Sequence, residues 1–487
     1  MKKFFETAFF LAILTLALIF VYSCKATGKE TEGNKNSTDK GEQTTEISDG
    51  LPDVNFDGYE FRIFIRDSPG RNKDFVAEAE GGDSLEESVY ARNKAVENRF
   101  DIKIKFVYDD SAEVGNPAMR AIMADEDAFD LLALHGTSAF SFANEGLVLD
   151  WLTEISYVDF SKPWWNDDIT NGFAAMGRLY CVTGDISYLS FGSVMCTIFN
   201  KRLFADLGID FPYGAVENSE WTLDKFSQII KDGKSDLNGD AIMNPSDDRY
   251  GLFMTNEFGY PVGVLYAGGD RVISLDSDGV PYLSVYNERT MDIFDKFFDI
   301  LRSDSACFGK GIVNLPLWSV TEENIFKDGR ALFIVPSVDA IVGFRDMDDD
   351  IGILPLPKYA VSTPKYYSPL EGGVNIFLVP ITALNLDRIG IIVEALAIEG
   401  HEKIMPEYYE RNLKGKFVRD IESENMLGII RDGIVYDYGY FNFGLATPFG
   451  FSGTDLVMQS APNFASFYET NEAAVNARIQ QLIDNMG

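Results

Sequence analysis

Apolar residues follow four spacings along this chain, and each spacing predicts a different kind of segment. From Phe4 to Tyr22 they run almost unbroken behind Lys2 and Lys3. A basic start before an apolar run is the order of an export signal, and the run also approaches the roughly 20 residues of a spanning helix. From Cys24 to about Gly50 large apolar side chains are nearly absent, Ile47 standing alone, so residues 24–50 are expected to form a disordered tether. Tyr59, Phe61, Ile63 and Ile65 then alternate, as in a strand. Leu85, Val89, Val96 and Phe100 follow at helical spacing, with Ser84 and Glu87 as a capping box. Ile102, Ile104, Phe106 and Tyr108 alternate again, and the crossover between the two strands is long enough to make them parallel. Further short apolar strands are expected at 129–134, 179–184 and 193–200. Thr222 caps a helix through Phe226 and Ile230 to Gly233, and Ser319 with Glu322 opens another that ends at Gly329.

Composition adds size and compartment. With 46% hydrophobic and 13% aromatic residues, the chain after residue 50 carries more core material than one domain usually holds, so two lobes are expected. The net charge of −34, with no basic stripe, disfavours nucleic acid by phosphate repulsion. Val21, Tyr22, Ser23 and Cys24 resemble the lipobox of bacterial lipoproteins, in which the cysteine is acylated. The resemblance implies a signal peptide over 1–23, a lipid anchor on Cys24 and a globular part outside the cell membrane; an uncleaved anchor helix is the alternative. Cys181, Cys196 and Cys307 then remain, an odd number, and are read as small buried thiols rather than a disulfide framework, although a Cys181–Cys196 bridge is conceivable.

The order of motifs from about 51 to 400 resembles the extracellular solute-binding proteins of carbohydrate-importing ABC transporters. The pieces that carry it are "FDLLAL" followed by "FANEGLVLDW", then "FNKRLFADLGIDFP", "WTLDKF", "LYAGGD", "FKDGRALFIV" and "IGILPLP". The resemblance implies an α/β fold of the type II periplasmic-binding-protein kind: two lobes, each a central sheet flanked by helices, joined by a multi-segment hinge. The expected division is 51–186 with 336–377 in the first lobe, and 187–335 with 378–487 in the second. It also implies a monomer that holds a small solute, a carbohydrate, in the cleft, works with ABC permease subunits and catalyses nothing.

Sugars present hydroxyls and apolar faces, so side chains that hydrogen-bond and aromatic platforms are sought beyond the strand ends. Arg66, Asp67 and Ser68 follow the first strand, and His135, Thr137 and Ser138 follow "FDLLAL". Ser187 and Tyr188 lie near the expected first crossing. Asn256, Glu257 and Phe258 would face the cleft from the second lobe, with Ser337 and Glu371 beside later crossings. Trp164 and Trp165 either stack on a sugar ring or wedge the lobe surface. Tyr440, in the aromatic run Tyr436, Tyr438, Tyr440, Phe441, either lines the cleft or covers the core.

Asp236, Asn238, Asp240, Ile242 (through its carbonyl), Asn244 and Asp247 occupy positions 1, 3, 5, 7, 9 and 12 of an EF-hand-like loop, a spacing that suits a structural calcium ion. Ala241 stands where that loop usually has glycine and Asp247 where it has glutamate, so an Asp/Asn-rich surface turn is the alternative. No organic cofactor is implied. Two other functions stay open: an extracellular carbohydrate-active hydrolase with paired carboxylates, and a binding protein for peptide or another polar solute.

Overall fold

The computed structural model describes residues 49–66, 72–77, 83–109, 115–166, 168–254, 260–308, 322–410, 413, 421–451 and 463–486. The expected signal peptide, Cys24 and most of the expected tether lie outside these. Among the described residues no helix is long and apolar enough to cross a membrane.

Strand β1 (Tyr59–Arg66) pairs in parallel with β2 (Ile102–Asp109), Tyr59 opposite Ile102, and with β3 (Leu131–His135), Ile63 opposite Leu131. A strand late in the chain, β12 (Asn375–Leu378), closes this sheet antiparallel to β3, giving the order β12–β3–β1–β2. Phe61, Ile63 and Ile65 are buried as the alternation predicts, and Phe64 is buried too. An inner parallel strand is covered on both faces, so it need not alternate strictly. Helix α1 (Ser84–Phe100) makes the crossover from β1 to β2. Its cap is Asp83, one residue before the expected Ser84: the Asp83 carboxylate accepts from the amides of Leu85 (3.0 Å) and Glu86 (3.1 Å). A carboxylate at that position also meets the positive end of the helix dipole. After β3 the chain turns directly into α2 (Gly136–Asn144).

The second sheet has the order β10–β4–β9–β5–β8, formed by β4 (Thr197–Asn200), β5 (Tyr250–Met254), β8 (Ala306–Phe308), β9 (Ala331–Ile334) and β10 (Ile351–Leu354). The hairpin β6 (Ile273–Leu275) with β7 (Pro281–Leu283) stands apart. Helix α3 (Leu223–Gly233) is capped by Thr222 as expected. The segment 179–184 is not a strand and keeps only a bridge from Val182 to Phe377. Cys181, Cys196 and Cys307 are buried and form no disulfide.

The two-lobed α/β fold stands, but the expected division of the chain does not follow the strand pairing. Strand β10, assigned with the first lobe, pairs with β4 in the second sheet. Helix α4 (Leu386–Glu399), assigned with the second, lies on the first: Gly390 sits against the Ser156 carbonyl, and Glu394 binds the side chains of Trp164 and Trp165. Helix α5 (Ile421–Asp432) returns to the second lobe, where Ser423 shares a hydrogen bond with Tyr213. The cause is connectivity: the expected division places passages after 186, 335 and 377, whereas 351–354 still pairs in the second sheet and 386–399 still packs on the first lobe.

The passing segments are bonded to one another. Ser368–Pro369 (β11) pairs in parallel with Ile434–Val435 (β13), and the Met195 amide donates to the Pro369 carbonyl at 2.8 Å. Val194 is bridged to Leu370.

Candidate functional site

Strands β1 and β3 run in the same direction and end together, and β12 begins beside them, so three chain segments deliver polar groups to one edge of the first sheet. At the centre is the turn Gly372–Gly373. The Gly136 amide, at the start of α2, donates to the carbonyls of Gly372 (3.0 Å) and Val374 (3.1 Å). The Gly372 amide donates to the Tyr440 hydroxyl at 3.1 Å, and the Gly373 amide to the Glu371 carboxylate at 2.9 Å. A methyl group on Gly372 would lie 2.8 Å from the His135 ring and 2.9 Å from Thr137, so only glycine lets the turn approach these side chains.

His135 caps α2. Its Nδ1 accepts from the Thr137 amide at 3.3 Å and lies 2.9 Å from the Thr137 hydroxyl. His135, Thr137 and Ser138 are half-buried at the strand end. The buried Tyr440 ring lies 6.0 Å from that of Tyr266, on the helix after β5. The fold therefore brings Thr137, Glu371 and Tyr440, with His135, around one turn, and Ser138 follows in the first turn of α2.

Below this collar lies a charged network that joins the expected Arg66 and Ser187 to Asp74, Arg92 and Asn375, which the sequence did not single out. Arg66 donates to the Asn375 side chain (2.9 Å) and the Gly373 carbonyl (2.7 Å). Asn375 donates to Asp74 at 2.6 Å, and Ser187 donates to the same carboxylate. Arg92, from α1, donates to the Asp74 carbonyl at 2.9 Å and to that of Ile186. Burial pushes the Asp74 carboxyl above its usual range, while the donors from Ser187 and Asn375 and the nearby guanidinium groups pull the other way. Asn375, a polar residue inside an apolar strand, was the available signal. Asp74 and Arg92 carried none, since only tertiary packing brings them to Ser187.

The remaining expected residues fall elsewhere. Asp67, Ser68, Asn256, Glu257 and Phe258 lie outside the described residues. Ser187 is buried as a structural donor, and Tyr188 stacks on Tyr408 at 4.9 Å. Ser337 is buried and bonded to Asp339. Trp164 and Trp165 are not a sugar platform: both are buried and each indole N–H donates to one oxygen of Glu394, at 2.8 Å. Helix α4 supplies that acceptor from far along the chain, which local sequence does not reveal.

In the 236–247 loop, Asp236 accepts from the amides of Gly239 and Ala241, and Asp240 accepts from Ile242. The Asn244 and Asn238 side chains donate to Asp247 and Asp240, both at 3.2 Å. Ala241 adopts the left-handed backbone (φ 64°) for which such a loop normally uses glycine. Among the described residues no group of three or more His, Cys, Asp or Glu side chains is placed to hold a metal ion.

No family model and no curated protein matches the chain. Solved structures do resemble it. An ABC substrate-binding protein from Listeria monocytogenes, in complex with cycloalternan, is 13% identical with a TM-score of 0.52, over 88% of this chain and 100% of that one. The GacH receptor of Streptomyces glaucescens, studied unliganded and with acarbose, is 15% identical with a TM-score of 0.54, over 88% and 99%. UgpB from Mycobacterium tuberculosis, in complex with glycerophosphocholine, is 12% identical with a TM-score of 0.56, over 88% and 99%. At these identities the likeness establishes the shared fold.

Proposed function

We propose that this protein captures a neutral, hydroxyl-rich solute, a sugar or oligosaccharide, between its lobes and delivers it unchanged to an ABC importer. One observation carries the reading: the fold matches the full length of binding proteins whose structures are described with cycloalternan and acarbose. The collar of His135, Thr137, Ser138 and Tyr440 supports it, because it offers hydroxyl, imidazole and aromatic groups beyond the carboxyl ends of parallel strands. In this reading the protein acts as a monomer outside the cell, moored through an acylated Cys24. The glycerophosphocholine complex of UgpB favours a second reading, a polar solute that is not a sugar.

The test is a thermal-shift and calorimetry screen over oligosaccharides, short peptides and glycerophosphodiesters, with chromatography of the recovered compound. A solute held at 100 times its dissociation constant stabilises the fold by about 2.7 kcal/mol. Stoichiometric recovery of intact sugar supports capture; recovery of hydrolysed products ends it in favour of an enzyme. Calcium in the 236–247 loop is a separate proposal, supported by the residue spacing and the backbone of Ala241. Calcium titration of the full chain and of Asp236→Ala tests it, binding with no difference between the two removing the loop from consideration.

A further inference from the structure

The first passage between the lobes leaves the first sheet after Val182 and reaches β4 at Thr197. Its opening residues are enclosed on opposite sides. The Asp185 amide donates to the Trp164 carbonyl at 3.0 Å. A methyl group on Gly184 would lie 2.5 Å from the Trp165 ring, and one on Gly400, just past α4, would lie 2.0 Å from the Asp185 carbonyl. The tryptophan turn and the end of α4 thus grip Gly184–Asp185 between them. Two proton-binding groups tie the grip together. Glu394 is 1% exposed and takes one indole N–H on each oxygen. His401 Nδ1 lies 2.6 Å from the Asp185 carboxylate.

We propose that Glu394 and the Asp185–His401 pair form a proton-sensitive clamp on the first passage, gripping Gly184–Asp185 when they hold their protons and loosening when they release them. The geometry sets the sense. Among the described residues no cation forms an ion pair with Glu394, so its negative charge is met by neutral donors, the two indole N–H groups and the backbone amide of Asp159. A charge taken out of water without a counterion favours its neutral form. For the second pair, proton loss from His401 leaves the Asp185 charge without its imidazolium.

The charged groups facing the clamp leave that sense unchanged. On the tryptophan turn Asp159 repels the Glu394 charge, and Lys162 is engaged with Asp159 at 3.6 Å. From α1, Arg92 is spent on the carbonyls of Asp74 and Ile186. Beyond α4, Lys403 is paired with Glu399, and Glu402 favours the charged His401. Arg431 of α5 lowers the proton affinity of both Asp185 and His401, but on each it is a smaller influence than burial for Asp185 and the Asp185 bond for His401, and the buried Tyr436 phenol is neutral at ordinary pH. Burial raises the Glu394 carboxyl to about 7, and the bond to Asp185 raises the His401 imidazole. Both groups hold protons more tightly in the folded clamp than in the unfolded chain. The clamp is therefore strengthened as pH falls through neutrality and weakened as it rises.

The inference concerns the fold and holds whichever solute is bound. Its test uses the full chain without added ligand. Tryptophan emission is titrated from pH 5 to 9, and amide exchange across 183–196 is compared at pH 6 and 8 after correction for the intrinsic rate. The expected result is an emission transition near neutrality that Glu394→Gln abolishes, with exchange several-fold faster at pH 8. That ratio shrinks in Glu394→Gln and in His401→Gln. The half-exposed His401 carries the comparison if the buried substitution fails to fold. The clamp is overturned by a flat emission curve, by a transition without pH-dependent exchange, or by an exchange ratio that His401→Gln leaves intact.

Discussion

Two buried carboxylates hold the first lobe together, and they are built in opposite ways. Asp74 lies beneath the collar with Ser187 and Asn375 as donors and the guanidinium groups of Arg66 and Arg92 close by. Glu394 lies beside the first passage with two indole N–H groups and the Asp159 amide as donors and, among the described residues, no cation bonded to it. Burial raises both carboxyls, yet they respond differently to change. Removing Asp74 strands positive charge in the interior, whereas removing the Glu394 charge strands only neutral N–H groups.

Asp74→Ala should have the largest effect, a loss of about 3 to 5 kcal/mol, the range for breaking a buried charge arrangement from one side. Urea unfolding near pH 7 measures it, and a loss below about 1 kcal/mol would remove the contrast. Glu394 comes next, through pH. Its folded value of about 7 lies above the ordinary 4.5, so its stabilising contribution is complete below about pH 4.5 and lost above about 7. The wild-type chain should therefore lose about 3 kcal/mol relative to Glu394→Gln across that interval, at about 1.36 kcal/mol per unit. Unfolding at pH 4.5 and 8 supplies the comparison, and parallel curves would show that the carboxyl does not titrate there.

Trp165→Phe removes one of the two indole donors. The expected cost is about 2 kcal/mol at pH 8, where the acceptor is charged, and about 1 kcal/mol at pH 5, where it is neutral. Equal costs at both pH values would separate the indole bond from the Glu394 charge. The smallest effect belongs to Asp83→Ala, about 1 kcal/mol for an exposed helix cap. It sets the scale for a carboxylate that never leaves water.

What could be read from sequence follows how local each feature is. The alternation of Tyr59 to Ile65 and of Ile102 to Tyr108 gave two strands, and the span between them gave their parallel pairing. Thr222 announced its helix because a cap acts within one turn. The strand end at His135 likewise pointed to Thr137 and Ser138. The Trp164–Trp165 pair was ambiguous because its acceptor, Glu394, arrives from α4, 229 positions beyond Trp165. The lobe division failed for the same kind of reason: β10 is an ordinary apolar strand, and nothing within Ile351–Leu354 says which sheet receives it. Asp74 and Arg92 look like solvated surface residues until the fold buries them.

The cross-bonded strip of Val194–Met195, Pro369–Leu370 and Ile434–Val435 governs how the two halves can swing. Three independent threads would allow twisting, sliding and bending alike. Threads stitched edge to edge act as a piano hinge: flexing across the seam keeps every stitch, whereas shearing along it breaks them together. A rotation of one half against the other would keep the stitches that a shear would break, and a cut in any single thread should free the others to wander.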